Sequence, residues 1–105
     1  MTKLIVLYPP PVDVTEFERR YRLEHAPMVL DTFPGLKKFV AARVLGTPAG
    51  TAAPYQRIAV LYFDSSESLQ SAIASASAQA TVAHAVEIST GGPPLVLIAE
   101  DDTPA

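Results

Sequence analysis

The period of apolar positions along the chain changes several times, and each change marks an element. Lys3–Tyr8 (KLIVLY) is a short run rich in Ile, Val and Tyr, stopped by Pro9, Pro10 and Pro11, which predicts a first strand with a firm end. Phe17, Tyr21 and His25 follow at i, i+4, i+8, with Arg19, Arg20, Arg22 and Glu24 around the rest of the helix. Asp13 or Thr15 can cap this helix, since each is followed three residues later by a glutamate (Glu16 or Glu18). Pro27 disfavours helical geometry at Ala26, so the helix is expected to end or kink beside His25. Pro27 can itself open a second short helix running to about Phe33, before Pro34-Gly35.

Leu36–Leu45 reads as a second strand, followed by a loop holding Gly46, Pro48, Gly50 and Pro54. Gln56–Phe63 is the third, with Ile58, Val60 and Tyr62 on one face and Ala59, Leu61 and Phe63 on the other. Asp64 or Ser65 caps the next helix, whose packed stripe is Leu69, Ala72, Ile73 and Ala76. Helix continues through the alanine- and serine-rich stretch to Glu87, with a break near Ser77. Gly91 to Pro94 turn the chain into a fourth strand, Leu95–Ala99, and residues 100–105 form a frayed acidic tail.

The order is βαββαβ, which predicts one α+β domain spanning residues 1–105. Its architecture is ferredoxin-like, a four-stranded antiparallel sheet with its helices on one face. The third strand is apolar on both faces, yet the helices cover only one. A second copy of the chain is the expected cover, sheet on sheet, making a homodimeric α+β barrel.

Composition sharpens this picture. The chain has 105 residues, of which 49% are hydrophobic and only 18% charged, so part of its surface is expected to be hidden in an assembly. A net charge of −3 with no basic run argues against nucleic acid. With no cysteine, disulfides, iron–sulfur clusters and thiolate catalysis are excluded. No segment approaches the roughly 20 apolar residues of a membrane span. A cytoplasmic protein without membrane contact is the expectation.

Only two histidines carry candidate chemistry. Spacing alone leaves His25 as a structural residue capping a helix end and bonding a carbonyl or Asp31, or as an acid/base facing a cavity. His84 falls off the Val82–Val86 stripe and is expected to be exposed. The two histidines lack a third ligand at metal spacing, so no metal site is expected. GTPAG lacks a phosphate-loop lysine, and Ser65 or Ser66 reads as a helix cap rather than a nucleophile.

The segments KLIVLYPPP, FERRYRLEHAPMV, RIAVLYFDSSESL and PPLVLIAED, in that order, resemble the EthD family of dimeric α+β barrel proteins from Lys3 to about Glu100. The most specific part is Tyr21–His25–Pro27 after an N-terminal LYP strand, joined to YFDS at Tyr62–Ser65. The resemblance implies a pocket-facing His25 and no required cofactor or metal. It also implies a small hydrophobic, aromatic or oxygenated metabolite as ligand. Tyr8, Tyr21, Met28, Arg43 and Tyr62 are the candidate binding residues, with Arg57 an alternative to Arg43 for an anionic group. This chain departs from the family pattern at Ala26, where the family reads His-Met-Pro. It departs again at Ala85, where an aspartate followed by a Pro-Asn-Phe-like turn is usual. Three readings follow. The first is a cofactor-independent acid/base enzyme (isomerase, dehydratase, decarboxylase or monooxygenase-like) using His25. The second is a non-catalytic accessory or carrier protein. A haem-binding protein with His25 as axial ligand ranks last.

Overall fold

The computed structural model describes residues 1–103. Four strands form one antiparallel sheet: β1 (Thr2–Tyr8), β2 (Lys38–Arg43), β3 (Arg57–Phe63) and β4 (Leu95–Glu100), in the spatial order β2-β3-β1-β4. Four helices lie on one face of it: α1 (Val14–Arg20), α2 (Ala26–Thr32), α3 (Ser66–Ala74) and α4 (Ala76–Ile88). This is the ferredoxin-like βαββαβ arrangement expected from the sequence. Acidic residues do not fray from Glu100, because Glu100 pairs with Thr2 and the Asp101 amide donates to the Met1 carbonyl at 2.9 Å. Asp101 also binds the Lys3 ammonium at 2.7 Å. Of the tail, Pro104 and Ala105 lie outside the described residues.

Alternation along β1 and β3 sorts the side chains. Leu4, Val6, Tyr8, Ala59, Leu61 and Phe63 face the helices, and Leu4, Ala59, Leu61 and Phe63 join Leu69, Ala72 and Val29 in the main core. Ile5, Leu7, Ile58, Val60, Leu95 and Leu97 share the opposite, open face. The helical layer does not extend over the inner face of β4. Val96 and Ile98, paired with Val6 and Leu4, are therefore 51% and 52% exposed on the side that the helices cover elsewhere.

Between α1 and α2 the chain does not break at Ala26. Residues Tyr21–His25 form a π-helical turn in which the Ala26 amide donates to the Tyr21 carbonyl, and Ala26 itself is helical (φ −59°, ψ −43°). Proline at position 27 has no N–H to give and crowds the carbonyl four residues back. A local widening of the helix absorbs both defects, as helical π-turns do. In a regular helix, residues four apart drift by about 40°. The wider turn holds Phe17, Tyr21 and His25 nearly in line, with successive ring centroids 5.9 and 5.4 Å apart.

The break in the later helical stretch falls at Ser75, two residues before Ser77. Ser75 is extended (ψ 146°), accepts from the Ala78 amide and donates to the Ala72 carbonyl, so one hydroxyl ends α3 and caps α4. Asp13 caps α1 and Ser65 caps α3 in the same manner. Gly91 lies against the chain after β1, where an added Cβ would meet the Pro10 carbonyl oxygen at 1.8 Å. That contact, with the Val12 amide donating to Thr90 Oγ1 at 3.1 Å, fixes where β4 begins. Among the described residues no helix is long and apolar enough to cross a membrane.

Leu69 on α3 is fully buried in the main core. Leu69→Ala is expected to cost about 3 kcal/mol, read as a lower urea midpoint. Val12→Ala, on the exposed linker, should stay within about 0.5 kcal/mol.

Candidate functional site

Where the helices leave β4 uncovered, a cavity of about 250 Å³ opens between the sheet and the helical layer. Leu4, Val6 and Leu61 form its floor, Val29, Phe33 and Ile73 its inner wall, and Val82, Val86, Pro94 and Val96 surround its mouth. Polar side chains enter the lining at only three places, Tyr8, His25 and Thr81. The Thr81 hydroxyl is bonded to that of Thr32 at 2.6 Å. Tyr8 and His25 therefore make the cavity's one strongly polar corner.

Tyr8 is the last inward residue of β1, and its hydroxyl lies 3.1 Å from His25 Nε2. Burial pushes the Tyr8 hydroxyl far above its ordinary range, so it keeps its proton, and it donates to or accepts from Nε2 according to the His25 tautomer. Burial, and next the neighbouring His84, push His25 down to about 4, so its ring is neutral near pH 7. On the far side, His25 Nδ1 lies 3.0 Å from His84 Nδ1, and His84 Nε2 lies 3.2 Å from Glu24 Oε1. Arg20 holds Glu24 through a 3.1 Å bond and reaches Glu87 at 2.6 Å. The bond from Arg20, and next that from His84, keep the Glu24 carboxyl below its usual range.

His84 is thus not exposed as the sequence suggested. Its side chain is 14% exposed, because α4 buries Ala78, Thr81 and Ile88 and turns Val82 and Val86 outward. Choosing the valine stripe as the packed face misplaced it. Neither His84 nor Glu24 was singled out for the site from the sequence. The available signal was the spacing Thr81, His84, Ile88, which continues the buried stripe from Ala78.

The other candidates scatter. Tyr21 lies behind the corner, its ring 5.4 Å from both Tyr8 and His25, and its buried hydroxyl has no partner among the described residues. Burial raises that hydroxyl to about 12 against the opposing pull of Arg57. Met28 lies with Pro27, Leu30 and Asp31 in a shallow outer depression, so neither it nor Asp31 meets His25's cavity side. Arg43 points to the helical side but at β2, the edge farthest from the cavity, and is exposed. Arg57 is committed to Glu18 through bonds of 2.8 and 2.9 Å and covers the Tyr21 ring at 4.6 Å. Burial alone would raise Glu18, but the bonds from Arg57 and Gln56 outweigh it and hold the carboxyl below its usual range. Tyr62 is on the open face, between Lys3 and Lys38 at 5.8 and 5.5 Å. Among the described residues no three His, Asp or Glu side chains gather to hold a metal ion. Both ring nitrogens of His25 are already engaged, which works against an axial bond to haem.

Comparison with known proteins gives a consistent family. The family model described as EthD domain matches residues 9–87. An ethyl tert-butyl ether D (EthD) family protein from Bacillus halodurans superposes with a TM-score of 0.89 at 32% identity, over 96% of this chain and 98% of that one. A dimeric ferredoxin-like protein of unknown function from a Jannaschia species shares 16% identity over 95% and 97% of the two chains, with a TM-score of 0.71. SnoaB, a cofactor-independent oxygenase from Streptomyces nogalater, shares 12% over 98% and 94%, with a TM-score of 0.67. No curated protein matches the chain.

The buried imidazole predicts a pH dependence. His25 titrates near 6.5 when unfolded and near 4 when folded. Between those values the unfolded chain binds a proton that the folded chain refuses. Stability is therefore lost as pH falls from 6.5 toward 4, by at most about 1.4 kcal/mol per pH unit. Urea midpoints across this window should fall less steeply for His25→Phe than for the wild type. Parallel curves would remove His25 as the cause.

Proposed function

This chain belongs to the EthD family, and on that footing we propose that it binds a small hydrophobic, aromatic or oxygenated metabolite in the cavity beside His25 and acts on it by cofactor-independent acid/base chemistry. One observation carries the reading: an apolar cavity whose strongly polar corner is a neutral imidazole and a tyrosine hydroxyl 3.1 Å apart. Apolar walls with few convergent polar groups are what small-molecule sites present. The volume lies just below the ~300–1,000 Å³ of drug-sized sites, so a smaller ligand is favoured.

With the cavity empty of ligand, the Tyr8 hydroxyl donates to His25 Nε2. An entering carbonyl or phenol oxygen competes for that donor. Tyr8 then turns its proton toward the substrate oxygen, and the Nε2 lone pair is freed. Nε2 can take a proton from an acidic C–H or O–H of the ligand, while Tyr8 stabilises the charge that grows on oxygen. Returning the proton at another atom gives isomerisation. Returning it to a leaving hydroxyl gives dehydration, and protonating the carbon left by departing carbon dioxide completes a decarboxylation. An oxygenation without cofactor would start from the same deprotonated substrate, and the shared fold of the Streptomyces oxygenase is compatible with that branch. One observation favours the second reading, carriage without turnover: His25 is held near 4, a weak base on its own.

Naphthalene-1,3-diol separates the two readings, since it is small, aromatic and carries an acidic ring carbon. Binding followed by fluorescence should be lost in Ala85→Trp, which fills the cavity. Deuterium exchange at the ring carbon should be catalysed by the wild type and fall about 100-fold or more in His25→Ala with binding kept. Binding without catalysed exchange would favour the carrier, and no saturable binding would sink both.

We also propose that the open sheet face is closed by a second copy. Leu95 and Leu97 are half-exposed there beside Ile5, Leu7, Ile58 and Val60, a continuous apolar surface unusual on a monomer. Light scattering should give twice 11.2 kDa for the wild type and 11.2 kDa for Val60→Lys. A wild-type mass of 11.2 kDa would overturn the dimer.

A further inference from the structure

We propose that Tyr8, His25, His84 and Glu24 form a directed proton relay, in which Glu24 sets the tautomer of both histidines and the relay carries a proton from the cavity to the helix surface. His84 and Glu24 are positioning residues in this scheme. Neither belongs to the cavity lining.

The direction follows from which atoms can donate. Glu24 is ionised beside Arg20 and can only accept, so His84 Nε2 must carry the proton shared with it at 3.2 Å. In the relay His84 carries that one proton and presents a lone pair at Nδ1. His25 Nδ1, 3.0 Å away, must therefore carry its own proton and donate. That leaves Nε2 of His25 bare and facing Tyr8 and the cavity, where the Tyr8 hydroxyl donates to it. Each assignment forces the next. Without Glu24, His25 would be free to hold its proton on Nε2, the nitrogen that has to be basic for chemistry in the cavity.

The ring geometry suits transfer. The two imidazole planes are 9° apart and their centroids are 5.2 Å apart, although the nitrogens are only 3.0 Å apart. That difference is about two ring radii, which places the rings side by side in one plane. The Nδ1–H of His25 therefore points along the line to the His84 lone pair, not across a ring face.

Proton movement balances along this line. Nε2 of His25 gains a proton from the ligand, and Nδ1 of His25 passes its own to Nδ1 of His84. His84 gives its Nε2 proton to Glu24, whose carboxylate, 38% exposed, releases it to water. No ring keeps a charge, and the Tyr8-facing nitrogen is reset when the protons return along the chain. A histidine held neutral by burial is a poor store for a proton, and handing the proton on removes that handicap. Charged groups facing the pair are Arg20 and Arg19 from α1, Glu24 on the π turn and Glu87 from α4, and on the cavity side Tyr8 stays neutral.

The use of the relay in turnover rests on the function proposed above, but its direction does not, and it is the direction that can be measured without any ligand. Protein labelled with ¹⁵N-histidine is examined by NMR at pH 7.5. The wild type should show His25 protonated mainly at Nδ1 and His84 mainly at Nε2. In Glu24→Ala, which changes a partly exposed residue, and separately in His84→Phe, His25 should shift to mainly Nε2–H. A wild-type His25 that is mainly Nε2–H overturns the relay, as does a His25 tautomer unaltered in Glu24→Ala. If the tautomers behave as stated while naphthalenediol exchange is absent, the relay's direction stands and the catalytic reading falls.

Discussion

Strand β1 is paired on both sides, and its alternation is the constraint on which the remainder of the molecule rests. With β3 on one flank and β4 on the other, its register admits no slip without exchanging its faces. Leu4 and Val6 must then lie under the helices and Ile5 and Leu7 away from them. Tyr8, at the end of the same row, arrives at the one place where the π turn presents His25. A shift of one residue would put Tyr8 on the open face and lose core, cavity floor and polar corner together.

Opposite charges are arranged so that the cavity stays apolar. Glu18 and Arg57 fasten α1 to β3 in a bidentate pair beneath Tyr21, and Arg20 ties the π turn to α4 through Glu24 and Glu87. Both clusters lie outside the cavity lining. The pocket therefore meets charge only indirectly, through the histidine pair. This separation explains why one imidazole is kept neutral while its partner contacts a carboxylate. Burial acts on His25, and the solvent-facing edge is left to His84 and Glu24.

Much of the fold was legible in the sequence because strands and helices announce themselves by local period. The βαββαβ order, the two-faced third strand and the caps at Asp13 and Ser65 all rest on neighbours within a few residues. His25 was legible for the same reason, as the end of a Phe17–Tyr21–His25 stripe. What escaped depends on distance along the chain or on lateral order. Arg43 faces the helices, but only the strand order β2-β3-β1-β4 removes it from the cavity. His84 meets His25 across 59 residues, and the valines of α4 outweigh Thr81 in any hydropathy reading although the threonine is the buried one. Pro27 was read as ending or kinking the first helix and opening a second, because the π turn that carries the winding through it has no sequence period of its own.

That π turn also holds one residue of slack in the chain. A widened turn is one residue longer than the regular helix it interrupts, so loss of a single residue from Tyr21–His25 would restore ordinary winding. The helix beyond would keep its phase relative to Phe17, because the widened turn already absorbs the extra residue. Substitutions in this segment alter chemistry one group at a time. A one-codon deletion there would remove one side chain and let the helix close behind it with its packed face unchanged.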